Sequence, residues 1–278
     1  MTGAVVRYCL ALLAITCLLP VAASANVDHD QWQQLLQRHV IANADGTATE
    51  VDYAGFAAER AQLKQYLDRL AQLTRKDFDT LPVLDQLAFL INAYNAWTVE
   101  LILTRYPDLE SIRDLGSLFR SPWRREFIPL LGQMLSLDDI EHGLIRGSGR
   151  YNEPRIHFAV NCASIGCPAL SKSAYVGEKL EAQLEHAAIK FLQDRSRNRV
   201  DGDVLKVSSI FKWYRDDFET GWHGAKSLPE FFALYADALD LSSQQVRALR
   251  ENKIKIKFLD YDWRLNELRK VSQFNQPL

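Results

Sequence analysis

Read for hydrophobic and polar positions alone, this chain is helical at its start. Residues 28–40 place Trp32, Leu35, Leu36 and Val40 on one face, the spacing of an amphipathic helix. The polar stretch Asn43-Ala44-Asp45-Gly46-Thr47 marks a turn. A second helix is predicted from Ala54 to Leu73, with Phe56, Leu63, Tyr66, Leu67 and Leu70 inward. The strongest element follows: Asp79 and Thr80 can cap it, Pro82 suits its first turn, and its apolar pattern runs to Ile102 before Pro107 forbids continuation. Its middle, FLINAYNAWTVELI, is apolar on nearly every side, which predicts a central, buried helix. Asn92 and Asn95 sit on neighbouring positions of one face. A buried amide without partners costs about 1–3 kcal/mol, so both must be held in a hydrogen-bond network or face a polar cleft.

Beyond residue 125 the elements shorten. FIPLLGQMLSL predicts a hairpin turning at Leu131-Gly132, LDDIEHGLIR a short helix, and RIHFAVN a strand. A helix from Gly177 to Asp194 comes next, then NRVDGDVLKVS as a hairpin around Asp201-Gly202. Helices at 227–238 and 242–251 precede KIKFLDYDWRLN, a terminal strand and its exit. The pattern predicts an α+β fold, mainly helical, with a small, mostly antiparallel sheet and a buried central helix.

The first residues are of another kind. Arg7 is the only charge before residue 26, an apolar run extends from Tyr8 to Val21, and Ala23-Ser24-Ala25 has the small-residue form that signal peptidases cut after. The run is short for a span of roughly 20 apolar residues. The expectation is a signal peptide over 1–25, cleavage after Ala25, and a single exported domain over 26–278, periplasmic or secreted, without stable membrane insertion. Cleavage removes Arg7 and takes the net charge from −2 to −3. Short basic clusters such as Trp123-Arg124-Arg125 give no electrostatic case for nucleic acid.

Cleavage also discards Cys9 and Cys17 and leaves Cys162 and Cys167, inside HFAVNCASIGCPAL, as the whole thiol inventory. A structural zinc site wants four ligands in close pairs, and no second cysteine pair exists, so neither metal nor other cofactor is expected. Thiol oxidoreductases favour two residues between their cysteines, although Ser164 and Gly166 would let this longer loop close. The same closure suits a static disulfide in an exported protein. Two buried thiols acting as small hydrophobes are a further reading. A nucleophile asks for a histidine and a group that orients it. His157 lies five residues before Cys162, Asn161 adjoins the cysteine, and Glu141-His142 ends the short helix upstream. On a strand His157 and Asn161 share a face that Cys162 leaves, so His142 is as credible a base as His157.

VDY at 51–53, FLINAYNAWT at 89–98, LDDIEHGLIR at 137–146, RIHFAVNCASIGCPAL at 155–170 and IFKWYRDDF at 210–218 together resemble the family known as domain of unknown function 547. It occurs in exported bacterial proteins and, in plants, beside a leucine-zipper segment. The resemblance covers Val51 to Phe218 and leaves 26–50 and 219–278 as extensions. It implies no chemistry by name, but its pattern matches at Asn92, Asn95, Glu141, His142, His157, Cys162, Cys167, Pro168, Lys212, Trp213 and Tyr214, which implies one constellation. By analogy this is a thiol cleft similar in kind to papain-like or transglutaminase-like enzymes. Cys162 is then the expected nucleophile and Cys167 its rival, with His142 or His157 as base and Glu141 or Asn161 orienting it. Asn92 or Asn95 would polarise the substrate carbonyl. Ser164, Trp213 and Tyr214 are expected on the substrate side, although aromatics at helical spacing also suit a core. Asp216-Asp217 is read as a solvated face, because adjacent carboxylates diverge on a helix. The substrate would be a peptide or small molecule, with a protein partner left open. The alternative is a non-catalytic binding module pinned by a Cys162–Cys167 disulfide.

Overall fold

The computed structural model describes residues 27–117 and 120–268; the expected signal peptide lies outside them. The helices are α1 Asp30–His39, α2 Tyr53–Ala58, α3 Arg60–Gln72, α4 Arg75–Thr80, α5 Val83–Leu103, α6 Leu180–Gln193, α7 Ile210–Trp213, α8 Arg215–Phe218, α9 Leu228–Leu234 and α10 Ser243–Arg250. The strands are β1 Val40–Ala42, β2 Thr49–Val51, β3 Ile128–Leu130, β4 Gln133–Leu135, β5 Arg199–Asp201, β6 Val204–Val207 and β7 Lys255–Phe258. Three small sheets result. β1 with β2 and β3 with β4 are antiparallel pairs, and β5-β6 is an antiparallel hairpin to which β7 adds in parallel. The fold is therefore mainly helical α+β, as the pattern predicts.

Two hydrophobic cores divide the interior. The first surrounds α5, every residue of which from Gln86 to Leu103 is buried. Around it pack α2, α3 and the turns before and after the cysteine loop. The second is built largely from aromatic rings: Phe158, Phe191, Phe211, Phe218, Phe231 and Phe232. Phe211 alone meets Phe158, Phe191, Phe218, Phe231 and Phe232, at ring distances of 4.8–6.3 Å. The segment 156–160 stitches the two together, since Ile156, Ala159 and Val160 belong to the first core and Phe158 to the second.

Three predicted elements differ. The helix expected from Ala54 to Leu73 is broken at Glu59 into α2 and α3, and the Glu59 carboxylate accepts 2.8 Å hydrogen bonds from Arg38 and His39. Asp79 and Thr80 end α4 rather than cap α5, and Pro82 stands just before the first turn of α5. RIHFAVN is no strand. Pro154–Phe158 is a 3-10 turn, and its backbone is satisfied locally, with the N–H groups of Ala159 and Val160 both donating to the Ile156 carbonyl. Proline suits the first turn of such a helix. The alternation test applied to His157 and Cys162 therefore does not hold.

Candidate active site

The residues of the cysteine loop are set by a frame behind them. From α5, the Asn95 side chain donates to the Ala159 carbonyl (2.9 Å) and accepts from the Asn161 N–H (2.8 Å). Asn161 in turn donates to the Pro168 carbonyl (2.7 Å) and accepts from the Ala163 N–H (2.9 Å), closing the loop on itself. Asn92 clamps the backbone of Tyr175 through both its N–H and its carbonyl. All three amides are buried, and each both donates to and accepts from the backbone. They hold the backbone and lie behind the pocket rather than among its lining residues.

The front of the loop is held by a strap, residues 261–268. Ile165 N–H donates to the Arg264 carbonyl, Gly166 N–H to Asp262 and Asn266 N–H to Ala163. A Cβ at position 166 would come to 3.0 Å from the Asp262 backbone nitrogen and the Tyr261 ring, so a larger residue would have to push the strap back by a few tenths of an ångström. The strap is itself tied down: Val51 N–H donates to the Asn266 carbonyl, and the Tyr53 hydroxyl to the Asn266 side chain at 2.8 Å.

This pairing delivers the Tyr261 hydroxyl to 3.1 Å from the Cys162 sulfur, beside the Ser164 hydroxyl at 3.2 Å and the Cys167 sulfur at 2.8 Å. Both cysteines are free thiols, Cys162 partly exposed and Cys167 buried. Their separation exceeds the roughly 2.05 Å of a disulfide bond. Below them the Cys162 N–H donates to the Cys167 sulfur (2.8 Å). The electrostatics split the pair. The hydrogen bond from Cys167 lowers the Cys162 pKa against the cost of burial, with help from Ser164 and Tyr261. Burial, then donation to Cys162, raises Cys167 well above the ordinary thiol value.

Across a pocket of about 210 Å³ stands an imidazole wall. His157 is buried, stacked on Tyr214 at 3.9 Å between ring centroids, and bonded through Nε2 to Asp217 at 2.7 Å. A ring nitrogen bonded to a carboxylate carries the proton, which leaves Nδ1 with the lone pair. Burial lowers the His157 pKa and Asp217 only partly offsets this, so the ring is a neutral base at pH 7. Burial pushes Asp217 upward, but the hydrogen bonds from His157 and Arg146 outweigh it and hold the carboxyl well below the usual range. Arg146 grips Asp217 with two nitrogens and donates to His142 Nδ1 at 2.8 Å.

Glu141 and His142 come from a π-helical turn, Asp139–Ile145, a rare geometry often found at functional positions. It turns Glu141 inward, buried, toward Tyr214 in the pocket, and His142 outward to the half-exposed rim. Trp213, 47% exposed, stacks on Trp263, and Trp123 and Tyr261 pack edgewise or tilted against that same ring. A larger groove of about 1460 Å³ runs between α1, the start of α5 and α6, but it contains none of the thiol-site residues.

One pocket thus gathers Cys162, Cys167, His157, His142, Glu141, Trp213 and Tyr214, with Ser164 against the sulfur. Neither imidazole hydrogen-bonds either sulfur among the described residues; Cys167, Ser164 and Tyr261 take that place. Sequence reasoning missed Asp217, Arg146, Tyr261 and Trp263. The spacing of Arg146 four residues after His142 is the one local signal among them.

Residues 78–192 match the family model described as "Protein of unknown function, DUF547", so a domain of that family occupies this part of the chain. The match is narrower than the stretch Val51–Phe218: the residues 51–53 and 210–218 lie outside it, as does the strap. No curated protein and no solved structure matches the chain.

Proposed function

We propose that this chain, which carries a DUF547 domain, is an exported, thiol-dependent enzyme that hydrolyses or transfers an acyl group from an ester, thioester or amide. Cys162 is the nucleophile. The observation that carries this reading is a partly exposed sulfur with three hydrogen-bonding neighbours and a lowered pKa at the floor of a pocket. A thiolate, not a thiol, attacks a carbonyl. The opposite wall supports the proton traffic. His157, neutral and oriented by Asp217, is the base nearest in kind to that of a catalytic triad. Apo sites often leave such contacts open until substrate arrives. The aromatic rim of Trp123, Trp213 and Trp263 favours a flat or apolar substrate portion, from a peptide or small molecule. Export rests on the N-terminal apolar run and Ala23-Ser24-Ala25.

Under reducing conditions, p-nitrophenyl acetate should give a burst of one nitrophenol per chain, and Cys162→Ser should abolish it. Iodoacetamide labelling should rise with pH through a midpoint below the roughly 8.5 of an ordinary thiol, because the depressed pKa leaves thiolate present at lower pH. A Cys162→Ser protein that keeps both the burst and the fast labelling would move the nucleophile to Cys167 or end the thiol reading.

A further inference from the structure

The acyl-transfer reading uses one sulfur, yet the loop is built around two. Cys167 sits directly beneath Cys162, buried, with the sulfurs 2.8 Å apart. The turn that brings them together is itself specified. Ala163 takes a left-handed conformation (φ 58°), Gly166 lies so close to the strap that a side chain there would press on it, and Asn161 fastens the loop's start to Pro168. Both cysteines line the pocket, but Cys162 is the partly exposed one, while the buried Cys167 sulfur is held by the Cys162 sulfur and N–H, with a long approach to the Val160 carbonyl at 3.9 Å. An accessible attacking sulfur with a covered sulfur directly behind it suits thiol–disulfide exchange, whose rate depends on access to the attacking thiolate.

We propose that Cys162 and Cys167 form a redox-active dithiol that exchanges with small or peptide-borne disulfides entering the pocket. The Cys162 thiolate attacks one sulfur of the incoming disulfide, forming a mixed disulfide and expelling the other sulfur as a thiolate, which takes up a proton. Cys167 then loses its proton and attacks the Cys162 sulfur, expelling the second thiolate, which is protonated in turn. The dithiol loses two electrons and two protons, and the substrate disulfide becomes two thiols. The reverse sequence oxidises substrate dithiols. Closing the ring brings the sulfurs from 2.8 Å to about 2.05 Å, a short movement inside a loop whose ends are already fixed.

The surroundings also set a direction. Ser164 and Tyr261 hydrogen-bond the reduced Cys162, and stabilising the reduced form of a pair makes its disulfide more oxidising. Removing one such bond should therefore make the pair more reducing. Losing the Tyr261 bond to the sulfur should shift the exchange constant of Tyr261→Phe roughly tenfold toward the disulfide, about 30 mV for a two-electron couple.

The proposal shares with acyl transfer only an ionised Cys162. The test is a titration of the full mature chain in glutathione buffers, read by intact mass after acid quench. Wild type should lose two hydrogens and regain them on adding reduced glutathione. Cys167→Ser should instead hold a glutathione adduct at Cys162, and Cys162→Ser should form little adduct. A wild-type chain that stays a dithiol in fully oxidised glutathione, or keeps a stable glutathione adduct without closing the ring, overturns the proposal. So does a Tyr261→Phe midpoint that stays put or moves the other way. Because the ester burst is measured on the reduced wild type, a chain that acylates but never closes its ring fails this proposal alone. One that closes its ring without a burst fails the acyl-transfer reading alone.

Discussion

The two cores supply the two walls of the pocket, and they are made differently. The first is organised by a single 21-residue helix, α5. It positions the sulfurs through Asn95 and Asn161, a chain of side chain-to-backbone bonds with no freedom left in it. The second is an aromatic cluster assembled from short pieces. Its α7 and α8 have four residues each, below the length at which a helix is stable alone, so packing sets their geometry. His157, Tyr214 and Asp217 all rest on this second frame. The sulfur wall is thus held by hydrogen bonds to a rigid rod, and the imidazole wall by the mutual packing of rings. The first should be specific in geometry, the second sensitive to volume.

Phe211→Ala should break that contrast most severely. Truncating a fully buried phenylalanine costs about 3–5 kcal/mol, and here it meets five other rings. Denaturant unfolding should show that loss. If the loss is confined to the second core, thiol labelling at Cys162 should survive while the ester burst collapses. Asn95→Ala strikes the other wall. It leaves the Ala159 carbonyl and the Asn161 N–H unpaired, at about 1–3 kcal/mol for each buried group without a partner. It should also speed alkylation of Cys167 as the loop loosens. Unchanged stability would mean that water or another group replaces the amide.

Asp217→Asn sharpens the comparison without removing volume. A charge-assisted bond contributes about 1.5–3 kcal/mol, so the burst rate should fall roughly tenfold. The His157 pKa should fall further, since the carboxylate now raises it. Imidazole proton shifts over a pH series measure this directly. An unchanged His157 pKa would mean that the Asp217 carboxylate does not act on the imidazole.

The smallest effect concerns acid. His29, beside Tyr66 in the first frame, is lowered by burial to about 4; His157 in the second is lowered by burial as well. Because both depressed pKa values lie below the unfolded value near 6.5, the unfolded chain binds protons first. Stability is then full above pH 6.5 and declines as pH falls toward each folded pKa. In melting curves from pH 7 to 4, His29→Gln should flatten that decline. Asp217 adds a separate loss at still lower pH, where its carboxylate is protonated.

The rod was legible and the ring cluster was not. A run such as FLINAYNAWTVELI announces a buried helix, and the rule that buried amides need partners correctly anticipated that Asn92 and Asn95 are networked. Nothing in the run says that those partners are backbone atoms instead of a substrate. RIHFAVN mixes β-prone and apolar residues as a strand does. Only contact with α6 and with both cores reveals a tight turn. The rule that adjacent carboxylates diverge was sound for Asp216-Asp217. What it omitted was that one of the two points inward, to His157 and Arg146. Tyr261 meets a sulfur 99 residues earlier in the chain, a relation no local period encodes.

That long reach has a consequence in time. A polypeptide emerging from synthesis or from a translocation channel can form α5 and its first partners early, because local contacts come cheaply. The hydroxyl that helps lower the Cys162 pKa arrives only when residues near 261 have docked across the finished loop. Until then the sulfur lacks its settled surroundings, and a chain clipped ahead of the strap never acquires them. The surroundings of this sulfur are complete only when nearly the whole polypeptide is in place.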